Sequence, residues 1–360
     1  METRDGARLN VSAEAAALVG AVLNQRYRLA AVLGEGGLAS VFRAEPNDGA
    51  PAVAVKVLKS EFKSDQEVVE RFLAEAPLAE RIQHPGVVRV FGGFRAEDGT
   101  PYLVTELLVG HPLSATMNRG PVPVEQAVQI TLALLDTLAA AHAVGVVHRD
   151  LKPDNVFLCP GQDRGVRLLD FGISRAIEAA GGSARKTKTG MLLGTPGYMS
   201  PEQVKNSKDA DHRSDLFSIG VLFYELITGQ RAFEGQTEYE RMMAVLFGDA
   251  RPIEQAAPQF AHWQPFFSKA LEREPAARFQ SAGEMRDALS AVATGGHLPE
   301  RRFGGESTAV SPVVGRVSPA PVPDVRIVPT PRRALPLGWV FVVAGFSWLI
   351  GFVLGYLAGA

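Results

Sequence analysis

The chain has 360 residues, 46% apolar and 21% charged, a balance that builds a sizeable globular core and excludes a wholly disordered chain. Thirty-seven basic residues nearly match 39 acidic ones, and the net charge of -2 offers no electrostatic footprint for nucleic acid, so no such partner is expected. A single cysteine, Cys159, excludes an internal disulfide framework and a cysteine-built zinc site.

Met1–Asn10 is charged and lacks a secretory-signal pattern, and the Ala/Val/Leu run at Ala13–Leu23 contains Glu14. Residues 1–26 therefore read as an N-terminal extension, either a short amphipathic helix or a disordered lead-in. Short runs rich in β-branched and aromatic residues follow at Tyr27–Leu33, Ser40–Glu45, Ala52–Leu58, Val87–Phe94 and Tyr102–Glu106, with turn signals between them. One helix interrupts these strands around Asp65–Ile82, where Val68, Val69, Phe72, Leu73 and Ala76 recur at helical spacing. Pro77 falls inside that pattern and predicts a kink or irregularity. After Leu113 the patterns turn mainly helical. Val128–Val147 carries Asp136 and His142, and Leu216–Ile227 carries Glu225, so both read as core helices rather than membrane spans.

Residues 293–334 are poor in large apolar groups, and eight prolines lie between Pro299 and Pro336, which excludes regular helix or central strand. The stretch is expected to be an extended, mobile linker. From Ala334 to Ala360 there are 27 residues without Asp, Glu, Lys, Arg or His. A bilayer core of about 30 Å needs about 20 apolar helical residues, so a transmembrane helix is expected over 335–358. Arg332 and Arg333 on its amino side predict, by the positive-inside rule, a cytoplasmic location for everything before it. The expectation is a single-pass, tail-anchored protein of the inner (plasma) membrane, with the lipid bilayer as a partner. Gly351, Gly355 and Gly359 recur every four residues and would let two such helices approach closely.

The chemistry concentrates in three places. Leu33-Gly34-Glu35-Gly36-Gly37 lies between two predicted strands, where glycines let backbone N–H groups approach a phosphate. Ser40–Arg43 beyond it reads as extended, so the helix that opens a dinucleotide-binding fingerprint is missing. Lys56 ends an apolar strand, and Glu75 on the following helix is its expected ion-pair partner. The third place is His148 to Asn155 (HRDLKPDN), with Asp170-Phe171-Gly172 fifteen residues beyond Asn155. Asp and Asn at this spacing supply oxygen ligands for a hard cation, and a second Asp nearby can accept a proton from an attacking hydroxyl.

Taken together, these segments and Ser200-Pro201-Glu202 resemble the protein kinase superfamily over roughly Tyr27 to Val292, and the wording resembles bacterial Hanks-type serine/threonine kinases. The resemblance implies an α+β bilobal kinase domain over 27–292, with a small β-rich lobe holding one helix and a larger helical lobe. It implies ATP as phosphoryl donor, Mg²⁺ (or Mn²⁺) as metal, and proteins as substrates. Asp150 would orient and deprotonate the substrate hydroxyl, and Lys152 would neutralise charge on the transferred group. Lys56 would bind the α/β-phosphates and Glu75 would hold it, while Asn155 and Asp170 would ligate the metal. The ATP site would comprise Leu33, Gly34, Glu35, Gly36, Gly37, Val41, Ala54, Lys56, Thr105, Glu106, Leu108 and Phe157. In it Val41, Ala54 and Phe157 would flank the adenine, Glu106 and Leu108 would offer backbone hinge bonds, and Thr105 would be the gatekeeper. Structural roles fall to Arg149, Phe171, Gly172, Thr195, Glu202, Asp215 and Arg278. Thr187 and Thr189 are the expected activation-loop phosphosites, with Arg149 receiving the phosphate. Self-association is expected through the kinase domain or the glycine face. The third loop glycine is replaced by Ala39, which should trim loop flexibility, and Ala79 is small where a larger apolar residue is usual. A pseudokinase scaffold is disfavoured by the complete set of polar residues. A small-molecule phosphotransferase is disfavoured by the long segment from Asp170 to Glu202.

Overall fold

The computed structural model describes residues 11–161, 165–171, 196–206 and 210–296. The first lobe is a six-stranded antiparallel sheet in the order β1-β2-β3-β4-β6-β5. Its strands are β1 (Val22–Leu23), β2 (Tyr27–Glu35), β3 (Ala39–Pro46), β4 (Val53–Leu58), β5 (Val90–Arg95) and β6 (Pro101–Glu106). The sheet thus starts at Val22, inside the stretch read as an extension, and Ser12 caps a short helix α1 (Ala13–Leu18) packed on β2. Along β2 the apolar side chains Tyr27, Leu29 and Ala31 alternate inward, and Tyr27 and Leu29 join Ala15, Phe42, Val55 and Tyr102 in one core cluster. The expected strand from Val87 begins only at Val90, while Val87 itself makes a parallel bridge to Leu168 in the second lobe.

Helix α2 (Gln66–Glu80) lies against β5 and β6. Asp65 starts it by accepting from the backbone N–H groups of Glu67 and Val68, two of the donors that a helix start leaves unpaired. The helix runs through Pro77 unbroken. The proline ring lies on the exposed face, and buried Phe72, Ala76 and Ala79 on either side of it hold the helix to the sheet. Tertiary burial outweighs the single backbone bond that proline forfeits.

The second lobe contains α3 (Leu113–Met117), α4 (Val124–Ala143), α5 (Pro201–Asn206), α6 (His212–Thr228), α7 (Glu238–Phe247), α8 (Ile253–Ala256), α9 (Gln264–Ala270) and α10 (Ala282–Ala293). A small sheet of β7 (His111–Pro112), β8 (Val156–Leu158) and β9 (Val166–Leu168) edges it. Every side chain of α6 from Ser214 to Ile227 is buried. A helix buried on all sides belongs in the middle of a core, and α4, α8 and α9 pack against this one. Asp211 caps the start of α6, and Gly229 ends it in the left-handed conformation at φ 65°. Among the described residues α4 is long and apolar enough to cross a membrane, yet half of it is buried within the lobe. It is the core helix expected at Val128–Val147, displaced four residues toward the amino end.

Candidate active site

The two lobes meet at Lys56. Strand β4 delivers it by alternation: Val55 and Val57 point into the sheet core, so the residue between them points the other way, toward α2. Its Nζ lies 2.6 Å from Asp170 Oδ1 and 3.4 Å from Glu75 Oε2. Three residues that are 19 and 114 positions apart in the chain are thereby joined. Burial alone would lower the Lys56 ammonium, but Asp170 and Glu75 outweigh it and hold the group above its ordinary value. Burial likewise works against the Asp170 carboxylate, and Lys56 overcomes it to hold that group below the usual range. Glu75 is different. Burial, with the Asp170 charge added, pushes it up to about 8 against the pull of Lys56. Two carboxylates share one ammonium, and Asp170 has the shorter contact.

The loop between α4 and β8 carries the second group of residues. Asp215, 1% exposed in the first turn of α6, accepts backbone N–H bonds from His148 (2.9 Å) and Arg149 (2.8 Å), and His142 Nε2 lies 2.8 Å from it. Burial opposes its charge, and these donors, His142 foremost, hold it below the usual carboxylate range. Arg149 is thereby kept at φ 67°, and Asp170 sits at φ 58°. Left-handed backbone at non-glycine residues costs about 1–3 kcal/mol and persists where the surroundings overdetermine it. His148 Nδ1 accepts from the Asp150 N–H at 3.2 Å, and its Nε2 lies 2.7 Å from the Leu169 carbonyl. The neutral Nε2–H tautomer satisfies both partners. The same ring stands edge-on to Phe171 at 4.7 Å between centroids.

Lys152 Nζ and Asn155 Nδ2 both reach Asp150 Oδ2, at 2.7 and 2.9 Å, and Asn155 Nδ2 also donates to the Asp150 carbonyl at 2.7 Å. The Asn155 amide nitrogen is therefore committed, and its oxygen is the atom left to meet a cation. That oxygen and the Asp170 carboxylate are both hard-oxygen donors of the kind Mg²⁺ takes, an ion that characteristically has one or two protein ligands and completes its shell with phosphate and water. Among the described residues no cluster of three or more His, Cys, Asp and Glu could hold a metal.

The glycine loop passes a separate test. A Cβ added at Gly34 or Gly37 would meet nothing within 4 Å, at Gly36 only the Ala39 carbonyl at 3.6 Å, and none of the three has a left-handed φ. The fold itself does not require glycine there. What the absent side chains leave clear is space for a ligand. Ala39 proves to belong to β3, not to the loop: it pairs with Leu58, is 3% exposed, and joins the cluster under α2. Its methyl is core, so the expected effect on loop flexibility gives way to an anchor for the returning strand. Ala79 is buried in the same cluster.

Of the remaining nucleotide positions, Val41 lies on β3, Ala54 on β4 opposite Thr105, Phe157 on β8, and Leu33 is 43% exposed at the loop. Glu106 commits its N–H to the Arg89 carbonyl at 2.9 Å, and its own carbonyl accepts from Thr105 Oγ1 at 3.3 Å. Glu202 on α5 takes a two-pronged bond from Arg278, 2.7 Å on each side. Gly172, Thr187, Thr189 and Thr195 lie outside the described residues, as do the linker beyond residue 296 and the apolar segment that follows it, while Ala293, placed at the linker's start, ends α10.

The protein kinase domain model matches residues 27–288. The chain belongs to the protein kinase family. It is 37% identical over 312 residues to the serine/threonine-protein kinase PknA of Mycobacterium tuberculosis, covering 85% of this chain and 68% of that one. To PknL of the same species it is 38% identical over 291 residues, covering 79% and 70%. To pkn3 of Myxococcus xanthus it is 34% identical over 318 residues, covering 86% and 58%. The crystal structure of the Mycobacterium tuberculosis PknI kinase domain superposes with a TM-score of 0.59 at 23% identity, over 76% of this chain and 98% of that one, a likeness of fold. The chain is thus a bilobal serine/threonine protein kinase of the bacterial Hanks type, a family that uses ATP and a divalent metal and acts on protein substrates.

Two features of this site escape sequence reasoning. His142 and His148, read only as a charge in a core helix and as part of a motif, brace the catalytic loop from below and behind. Ser12 reaches the glycine loop from the amino end. Its signal was present as a serine directly before an Ala-rich run, the pattern of a helix N-cap.

Proposed function

We propose that this kinase transfers the γ-phosphoryl group of ATP to Ser/Thr hydroxyls through the residues gathered at the lobe junction, and does so anchored to the membrane. The observation that carries the reading is the contact of Lys56, from the β-rich lobe, with both Glu75 and Asp170. It sets the phosphate-binding lysine and the metal-binding carboxylate side by side. Asp150 is the base: Lys152 and Asn155 occupy Oδ2, leaving Oδ1 to accept the hydroxyl proton as the new O–P bond forms and the bond to ADP breaks. Lys152, held beside Asp150, offsets charge on the phosphoryl group in flight. Lys56 positions the α/β-phosphates, and Gly34, Gly36 and Gly37 cover them. Asn155 and Asp170 would hold Mg²⁺ or Mn²⁺, which when bound neutralises phosphate charge.

Activation is assigned to phosphorylation of Thr187 or Thr189 by another copy of the enzyme, with Arg149 beside the catalytic base as the receiving group. The 27-residue uncharged stretch supports a membrane span over 335–358, and Arg332 and Arg333 support a cytoplasmic kinase domain at the inner membrane. The Pro-rich segment 293–334 is the tether between them, and paired helices on the Gly351/Gly355/Gly359 face would bring two domains together.

The test is phosphotransfer by the full chain from γ-labelled ATP to a generic protein substrate, with phosphosite mapping. Label is expected on Ser and Thr, and on Thr187 or Thr189 of the enzyme itself. Asp170→Asn should lower kcat by ~10²–10³, the usual cost of losing one preorganised charge contact. Full turnover by that variant with Mg²⁺ alone would remove Asp170 from the metal site. An unmodified loop in fully active enzyme would remove the activation step.

A further inference from the structure

Helix α1 is fastened to the β-rich lobe at several points. Ala15 is fully buried, Glu14 accepts the Ser60 N–H at 2.8 Å just beyond β4, and Gly20 donates to the Leu29 carbonyl at 2.7 Å. At its amino end Ser12 does two things. Its hydroxyl caps the helix by accepting from the Ala15 N–H at 3.1 Å. Its backbone N–H and its hydroxyl both donate, at 2.9 Å each, to one carboxylate oxygen of Glu35. Glu35 is the second residue of the glycine loop.

The β2–β3 ladder is irregular just before this point, with a register shift between Val32 and Gly34. A bulge bends the strand and disrupts the ladder locally, and pairing resumes beyond it only at Gly34 with Val41 and Glu35 with Ser40 before the strand ends. The Glu35 tether lies directly beyond that bulge, where a Cβ at Gly34 or Gly37 would meet nothing within 4 Å and one at Gly36 only the Ala39 carbonyl at 3.6 Å. A loop free to move must be ordered when it closes on a ligand, and holding it beforehand lowers that cost. We propose that Ser12 is a positioning residue for nucleotide binding: through Glu35 it ties the glycine loop to the anchored helix α1 and pre-orders the loop for ATP. The inference rests on the reading of Gly34–Gly37 as the ATP-phosphate loop.

Substitutions at Ser12 separate the tether from the helix cap. Ser12→Thr keeps the hydroxyl and both roles. Ser12→Asp keeps a capping acceptor but sets a second carboxylate against Glu35. The full chain is assayed for KM(ATP), kcat, KM of a generic protein substrate, and melting temperature. Ser12→Asp is expected to raise KM(ATP) about three- to tenfold, a tenfold change being about 1.4 kcal/mol, with kcat and the protein-substrate KM within about twofold. Ser12→Thr should match wild type, and the double variant Ser12→Asp/Glu35→Gln should recover much of the loss, because an amide can donate to the new carboxylate. Equal KM(ATP) for Ser12→Asp and Ser12→Thr overturns the proposal. So does a fall in melting temperature with both KM values and kcat moving together, which marks a merely structural role. Gly37→Val, whose Cβ would meet nothing within 4 Å, serves as the control for the site itself. If it leaves KM(ATP) unchanged, the loop reading fails; if it raises KM(ATP) while Ser12→Asp does not, only the tether fails.

Discussion

At the centre of the cleft one ammonium faces two carboxylates, and the imbalance has a measurable consequence. Glu75, buried behind Lys56, keeps its proton up to about 8, far above its ordinary 4.5, because burial and the Asp170 charge outweigh Lys56. A group whose folded-state value is raised contributes stability in full below its unfolded value and loses that contribution as pH rises through the folded value. The nucleotide-free enzyme should therefore lose stability from this residue between about 4.5 and about 8, by on the order of a few kcal/mol. Denaturant midpoints across that range should fall more steeply for wild type than for Glu75→Gln, which cannot titrate. Parallel curves would mean that Glu75 is already ionised at neutral pH. The pairing of Glu75 with Lys56 was legible in the sequence. Its protonation was not, since that depends on how close Asp170 comes from 114 residues away.

Among elements, the link between α5 and the segment leading into α10 is the most exposed to a single change. Arg278 is fully buried, and besides its two bonds to Glu202 it donates to the carbonyls of Glu272 and Arg273. Ser214 of α6 donates to the same Glu202 carboxylate at 2.6 Å, so this one side chain joins three elements. Burial would raise the Glu202 carboxyl, and the Arg278 bonds hold it below the usual range instead. Removing one partner of a buried pair strands the other charge at a cost of about 3–5 kcal/mol. Glu202→Ala should lower unfolding stability by that order in a urea titration, and a loss under 1 kcal/mol would show that water reaches Arg278. At this scale the elements follow their local signals: Asp65 before α2, Asp211 before α6 and Gly229 after it. Where the reading slipped, at Pro77 and at the start of β5, local chemistry was overruled by packing against other elements.

For the molecule as a whole, the proposed membrane tether would convert a bimolecular encounter between kinase domains into one at high effective concentration. A chain ended after Arg333 should leave the membrane fraction, keep its turnover of added substrate, and show less Thr187 and Thr189 phosphate at low enzyme concentration. Within the full chain, Gly355→Ile should reduce crosslinked dimer in membranes along with loop phosphate. Membrane retention of the shortened chain would refute the anchor, and unchanged crosslinking of Gly355→Ile would remove the glycine face from the mechanism.

The sequence by itself determined the family, the two-lobed order of strands then helices, and the identity of the residues that meet at Lys56. Those features rest on local patterns: alternation in β4, helical spacing in α2, and polar residues at short spacings between His148 and Asn155. Tertiary structure alone decided which carboxylate the lysine favours, that His142 joins Asp215 beneath the catalytic loop's backbone, that Ala39 is core, and that Ser12 grips the glycine loop. Each of these depends on a distance between segments far apart in the chain, and such distances are set by how the sheet, α2 and α6 bury their apolar faces, a property of the packed whole that no single stretch of sequence contains.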